Sequence, residues 1–476
     1  MFNFYHKTER MKAYRMIRLV AMAVVVSAVA ACQPTGGEQQ STTFTPKEVF
    51  TTPERPAGQT DVLELRAEPI DTVRMAIIGL GMRGSGAVYR YTNIEGAKVV
   101  AIADVVPEKV KRANETLVKN GRPAADEYTS EEGWKEICER DDIDLVYVTT
   151  NWSLHTPIAV YAMEHGKHVA TEVPAALTID ECWKLVNTAE RTRRHCMMLE
   201  NCNYDFFEMA TLNMAQQGLL GEIVHAEGAY IHDLRSLNFN ENGYWNMWRL
   251  EHFKERDANL HPTHGFGPIA HAMNLHRGDK MNYLVSVSSN QFGMTKYAKD
   301  KFGEDSEYAK QKYIKGDMNT SIIKTAKGKT IMLQHDVTSP RPYSRIHMLS
   351  GTKGFVLKYP QRGIALEPNA HSFLSDEEME EMLAEYEHPI TKEVGEKARE
   401  VGGHGGMDFI MDYRLIYCLR NGLPLDQDVY DAAEWSSIVH LSEESVKNNG
   451  MPVQVPDFTR GAWDKLDKVT YYTEGE

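Results

Sequence analysis

The segment Gly79-Leu80-Gly81-Met82-Arg83-Gly84 spaces three glycines so that a backbone turn can wrap a phosphate, and an acid, Asp104, closes the next apolar run. Gly79 permits the tight turn, Gly81 lets the backbone approach a pyrophosphate, and Gly84 lets a helix pack closely on the preceding strand. The helix opening there turns its positive end toward the phosphates. A carboxylate at Asp104 can accept bonds from the adenosine ribose hydroxyls and repels the extra phosphate of NADP, so the pattern points to NAD. Further cofactor contacts belong at the C-terminal ends of later strands, where Asn151-Trp152-Ser153-Leu154-His155 and Glu172-Val173-Pro174 stand. Trp152 would lay a flat aromatic over the nicotinamide ribose and pyrophosphate. A second constellation, His261-Pro262-Thr263-His264, lies in a Pro/Gly-rich stretch. A rigid turn there presents His264 into a cleft, and an imidazole titrates near neutrality, as proton transfer requires. His-x-x-His spacing also suits a metal, but the sequence places no third ligand, and no metal is assigned.

The surrounding elements must hold these groups. Apolar runs at 73–80, 98–103, 144–149, 167–172 and 197–201 read as buried strands, and stretches at 107–120, 156–166 and 178–194 as helices. Thr178 and Glu181 form a capping box for the last of these. Strands alternating with helices predict a doubly wound parallel sheet, a Rossmann domain over 71–202. From 203 to 476 the rhythm changes: a helix at 207–218, a strand at 223–232, an aromatic and polar loop region at 236–268, then strands at 283–291, 319–326, 330–338, 345–350 and 354–358. An acidic surface helical stretch at 375–400 and helices at 406–421 and 429–448 follow. Closely spaced strands predict a largely antiparallel sheet, so the fold class is α/β with a C-terminal α+β domain.

The chain has a formal net charge of -14, with 42% hydrophobic and 25% charged residues. That balance suits a globular chain with a sizeable core and argues against nucleic-acid or anionic-membrane binding, which needs a basic surface. At the N-terminus, basic residues Lys12, Arg15 and Arg18 precede an uncharged run over 19–31 that ends in small residues before Cys32. This is a secretory signal over 1–31, too short to span a bilayer comfortably. Ala30-Ala31-Cys32 resembles a bacterial lipobox, with Cys32 as the lipidated first residue of an exported, membrane-anchored protein. Removal of 1–31 takes five basic residues and one acidic, leaving a formal charge of about -18. Residues 32–70 read as a tether and lead-in segment. The remaining cysteines, Cys138, Cys182, Cys196, Cys202 and Cys418, are odd in number and form no CxxC pair, so they read as buried thiols.

The glycine turn, Asp104, the Asn-x-x-x-His loop at 151–155 and Glu-x-Pro at 172–174 resemble the glucose–fructose oxidoreductase and inositol dehydrogenase superfamily. Most of its members carry a lysine in the middle of Glu-x-Pro that helps take a hydroxyl proton; here Val173 stands there and cannot transfer one. Further segments resemble one branch: 172–176, Trp248-Arg249, 262–268, Arg341-Pro342-Tyr343, 402–408 and 456–460. Together they look like glycoside hydrolase family 109, the NAD-dependent α-N-acetylgalactosaminidase-type enzymes. The resemblance implies dinucleotide contacts at Met82, Arg83, Asp104, Trp152, Ser153, Leu154, His155, Glu172, Val173 and Asn201. It implies sugar contacts at Tyr230, Arg249, His261, Pro262, Thr263, His264 and Tyr343. The family usually has Tyr-Pro-Thr-His where this chain has His261-Pro262-Thr263-His264.

In that setting His264 is the expected base, with help from Tyr343. Arg249 would hold a hydroxyl or acetamido carbonyl, Tyr230 and Tyr204 would line a sugar platform, and His404 would approach the cofactor. No carboxylate pair can be placed across a glycosidic bond from sequence. The leading reading is an NAD-dependent glycosidase acting by transient C3 oxidation, C2 deprotonation and elimination. Its competitors are an NAD-dependent sugar dehydrogenase and a non-catalytic sugar-binding surface lipoprotein. A glycoside or glycan is the expected partner, the membrane is met only through Cys32, and a homo-oligomer is left open.

Overall fold

A computed structural model describes residues 45–473 and Gly475; the signal segment and Cys32 lie outside the described residues. Residues Pro46–Glu476 form one unit containing two sheets. The first is built from β1 (Val73–Ile78), β2 (Ala97–Ala103), β3 (Asp126–Tyr128), β4 (Leu145–Val148), β5 (His168–Thr171) and β6 (Cys196–Met198). Its order is β3-β2-β1-β4-β5-β6 and every pairing is parallel. This is the doubly wound arrangement expected from the apolar runs. Alternate residues of β1 enter separate cores: Ala76 and Ile78 pack with Ile158 and Leu185, whereas Met75 and Ile77 pack with Val88 and Ile410. Burial on both faces is why the run carries no alternation of polar residues.

The second sheet adds β7 (Ile223–Ile231), β8 (Met281–Ser288), β9 (Asn319–Thr325), β10 (Thr330–Asp336), β11 (Met348–Gly351), β12 (Gly354–Leu357), β13 (Gly363–Leu366) and β14 (Val453–Gln454), in the order β13-β12-β11-β7-β10-β9-β8-β14. Only β7 and β10 pair in parallel. Phe266 and Ile269 of the helix Thr263–Ala272 and Tyr430 and Ile438 of the helix Val429–Lys447 share a core with Ala226, Ile331 and Leu333 of this sheet.

Three expectations change. The region 236–268 is not all loop, since helices Trp248–Glu255 and Thr263–Ala272 cross it. The stretch 375–400 holds two helices, and the second, Pro389–Val401, buries Ile390, Val394 and Ala398 against the Rossmann side rather than lying on the surface. The lead-in segment is docked rather than free: Lys47 bridges to Val453, and Val62 and Leu65 are buried. The helix Met407–Asn421, from the far end of the chain, completes the core on one face of the first sheet.

Candidate active site

Gly81 is the N-cap of the helix Met82–Thr92 and no side chain caps it, so its first amides face a groove of about 880 Å³. Gly79 has φ 94°, and a Cβ there would lie 2.7 Å from the Thr149 carbonyl oxygen. A Cβ on Gly84 would strike the Gly79 carbonyl, whereas one on Gly81 would meet nothing within 4 Å. Gly79 and Gly84 therefore serve the turn and its packing, and Gly81 leaves room for a ligand. Asp104 follows β2 and steadies the same turn: the Leu80 N–H donates to Oδ2 (2.7 Å) and the Val106 N–H to Oδ1 (2.9 Å), with Lys109 Nζ 3.6 Å away. The open helix end, the room at Gly81 and the strand-end acid fit a dinucleotide.

Deeper in the groove, Arg83 Nε donates to Glu172 Oε1 (2.9 Å), which also accepts from the Tyr147 hydroxyl (2.8 Å). Arg83 Nη1 donates to Asp408 Oδ2 (2.9 Å), and Asn201 Nδ2 donates to Asp408 Oδ1 (2.6 Å). Burial opposes the charge on Arg83, but Glu172 and Asp408 outweigh it and raise its pKa well above the ordinary value. Burial likewise opposes ionisation of Asp408, and Arg83 with His404 holds it far below. Behind them, Asp412 accepts from Arg90 Nε (2.6 Å), yet burial pushes its carboxyl up to about 6. His404 reaches this network, with Nδ1 2.8 Å from Asp408 Oδ2. Asp408, Arg90 and Asp412 were missed as site residues, although the glycine-rich segment ending in Asp408 was visible.

Several expected cofactor residues line the groove and also hold its walls together. His155 is buried with Nδ1 and Nε2 2.8 and 3.1 Å from the Pro174 and Thr150 carbonyl oxygens, so it ties two strand-end loops together. Trp152, 3% exposed, is a wall rather than an open platform, packed edge-on against Trp248 (4.9 Å) and stacked on His261 (5.7 Å). Met82, Leu154 and Val173 line the groove; Ser153 is exposed on its flank.

At the other end His264 corrects the expected turn: it lies in the first turn of the helix Thr263–Ala272. Gly265 lets that helix press on β7, because a Cβ there would strike the backbone of Ala229. The contact brings the His264 ring 5.2 Å from Tyr230 and 4.7 Å from His261. His264 Nδ1–H donates to Glu200 Oε1 (2.7 Å), a partner sequence reasoning missed. Burial would raise the pKa of Glu200, but His264 and the hydrogen bonds it accepts hold it below the ordinary value. Burial lowers His261 well below its ordinary value, with His264 and Arg249 adding to the effect, so that ring is neutral. Burial pushes the Tyr230 phenol up to about 12 against the pull of Arg249. The Arg249 guanidinium lies over Tyr244 (4.2 Å), Trp152 (4.7 Å) and Trp248 (5.3 Å).

Pro262 and Thr263 are buried behind this end. Tyr343 lies outside the groove lining, on the rim, with its ring 4.8 Å from His232 and 6.4 Å from Tyr230. Tyr204 is not on a platform at all: it is fully buried and its hydroxyl donates to Asp426 (3.2 Å). Glu200, Cys202 and His264 could present metal-ligating atoms within 4.8 Å of one another. However, burial raises the Cys202 thiol well above its ordinary value, and its sulfur accepts from Arg345 (3.1 Å). Among the described groove-lining carboxylates, Glu172 and Asp408 are committed to Arg83, while Asp104 and Glu131 lie at the adenosine end. None forms an acid pair beside His264.

Known proteins match both halves. Residues 73–200 match the oxidoreductase family, NAD-binding Rossmann fold. Residues 204–465 match the glycosyl hydrolase 109 C-terminal domain. An alpha-N-acetylgalactosaminidase of Bacteroides fragilis is 57% identical over 411 residues, 86% of this chain and 97% of the relative. A glycosyl hydrolase family 109 protein of Porphyromonas gingivalis is 51% identical, covering 87% of this chain and 90% of its own. Among solved structures, a levoglucosan dehydrogenase in complex with NADH and levoglucosan is similar in fold, with a TM-score of 0.63 at 18% identity over 81% of this chain and 100% of that one. The two domain matches lie in the order the two sheets require, and with relatives this similar over nearly their full length, the chain belongs to glycosyl hydrolase family 109.

Proposed function

We propose that the chain is an NAD-dependent glycosidase of the α-N-acetylgalactosaminidase type that cleaves by elimination. The observation that carries this reading is His264: a base held by Glu200 at one end of a dinucleotide groove, with no carboxylate pair beside it. The groove residues Gly81, Asp104, Arg83 and Asn201 would hold NAD, which when bound supplies reversible hydride exchange at C3 of the sugar with no net consumption. A carbonyl at C3 makes the C2–H acidic. His264 Nδ1 is engaged by Glu200, which leaves Nε2 to take that proton. The C2–H electron pair then forms the C1–C2 double bond as the anomeric oxygen leaves. Water adds its hydroxyl at C1 and its proton goes to the departed oxygen, while His264, its proton exchanged with solvent, returns one to C2. Tyr230, Arg249, His261, Thr263 and, from the rim, Tyr343 would orient the sugar and its acetamido group. Val173, an apolar residue, carries no proton in this scheme.

The test is turnover of an aryl α-N-acetylgalactosaminide in heavy water. Product should carry deuterium at C2, and reduced dinucleotide should not accumulate. Efficient cleavage with the C2 hydrogen retained would rule the elimination out, and steady NADH release would favour a sugar dehydrogenase. We also propose that the protein is exported and anchored by a lipid at Cys32; the uncharged run over 19–31 ending in Ala30-Ala31-Cys32 supports this reading. Cys32→Ala should then move it from the membrane fraction to the soluble fraction; unchanged membrane association would remove this reading.

A further inference from the structure

We propose that Glu200 is a positioning residue for the reaction: its buried charge fixes the tautomer of His264 and stabilises the imidazolium formed when C2 is deprotonated. This rests on the assignment of His264 as the base. Glu200 is fully buried, and an unpaired carboxylate there would be strongly disfavoured. The chain nevertheless builds a place for it from its own next turn and two distant segments. Gln427 clasps its backbone, accepting from the Glu200 N–H (3.3 Å) and donating to its carbonyl oxygen (3.1 Å). The Cys202 N–H donates to Oε1 (3.0 Å), the same oxygen that accepts from His264. The helix bearing His264 carries Gly267 in its interior, a residue disfavoured there, and a Cβ at that position would lie 2.5 Å from Asn203 Oδ1 and 2.8 Å from Glu200 Cγ. The helix thus gives up a side chain to admit the glutamate.

The chemistry follows from that contact. A carboxylate only accepts, so Nδ1 carries the proton and Nε2 holds the lone pair. When Nε2 takes the C2 proton, the ring gains a positive charge 2.7 Å from a negative one. The proton is held on the imidazole, exchanges there with solvent, and a solvent-derived one returns to carbon; Glu200 never binds it. An acid placed this way orients and stabilises a working histidine. His264 is also faced by Tyr230, His261 and the Cys202 thiol. None of these supplies a formal negative charge, because burial keeps the phenol and thiol protonated.

Glu200→Gln removes the charge and keeps the size. In the full-length protein loaded with its dinucleotide, kcat should fall about 10²–10⁴-fold, with KM and released dinucleotide unchanged. The isotope effect from deuterium at C2 should grow, and that from deuterium at C3 should not. Glu200→Asp, which keeps the charge, should retain more activity and a C2 isotope effect nearer the original; it also serves if the glutamine variant fails to fold. An unchanged C2 isotope effect in a folded Glu200→Gln protein would overturn the proposal, as would equal impairment of both variants. His264→Ala run in parallel separates the readings. Loss of C2 exchange there but not in Glu200→Gln sinks only the role of Glu200. Exchange surviving in His264→Ala sinks the base assignment itself.

Discussion

An imidazole at position 261 stacks on Trp152 and lies 4.6 Å from Tyr230, and its buried Nδ1 has no hydrogen-bond partner among the described residues. Replacing it by tyrosine restores the phenol usual in the family and reaches farther into the groove. His261→Tyr should raise activity on N-acetylgalactosaminides relative to other aryl glycosides; identical profiles would mean that position 261 does not set specificity. His264→Ala should lose about 10²–10⁴-fold in kcat while still releasing dinucleotide on denaturation. The residues these variants touch differ in how far the sequence revealed them. Gly79, Gly81, Gly84 and Asp104 were legible because their chemistry is written in local spacing. Glu200 and Asp408 were not, because each acts through a partner far along the chain, His264 and Arg83 respectively, and no local pattern marks such a pair.

The glycine turn separates folding from binding within one element. A Cβ at Gly84 meets the Gly79 carbonyl, so Gly84→Ala should lower the melting temperature with or without ligand. A Cβ at Gly81 meets nothing, so Gly81→Ala should leave the melting temperature of cofactor-free protein unchanged and weaken NAD binding in calorimetry by about tenfold, roughly 1.4 kcal/mol. Equal losses in both variants would show that Gly81 is structural. The long strands of the first sheet were readable from apolar runs alone. β3 was not, because two of its three residues, Asp126 and Glu127, are exposed. The helix Thr263–Ala272 was read as a turn because Gly265, Gly267 and Pro268 are poor helix formers. Two of those residues are the price of contact: Gly265 lets the helix reach β7, and Gly267 makes room for Glu200.

Away from the groove, a buried cluster ties His276 and Arg277 to the start of the helix Val429–Lys447. His276 lies 3.3–3.5 Å from Asp428, Asp431 and Glu434, beside Arg277, which donates to Asp431 (2.8 and 2.9 Å). Burial and Arg277 oppose its charge, but Asp431 and Asp428 outweigh them and push His276 up to about 9. A folded pKa above the ordinary 6.5 gives stability that is complete below about pH 6.5 and lost as pH rises through about 9. The melting temperature should therefore fall between pH 7 and 10, and His276→Gln should flatten that slope; parallel slopes in the two proteins would contradict the assignment. The groove itself has walls from 79–201, from 230–264 and from 403–408. Synthesis delivers the first wall long before the last, and no shortened chain can assemble all three. Arg83 and Asn201, assigned to the dinucleotide, are held by Asp408 of the last wall, so tight capture would come late, and mass action would favour the completed chain. A bound nucleotide would then report that the segment around Asp408 has docked on the first wall.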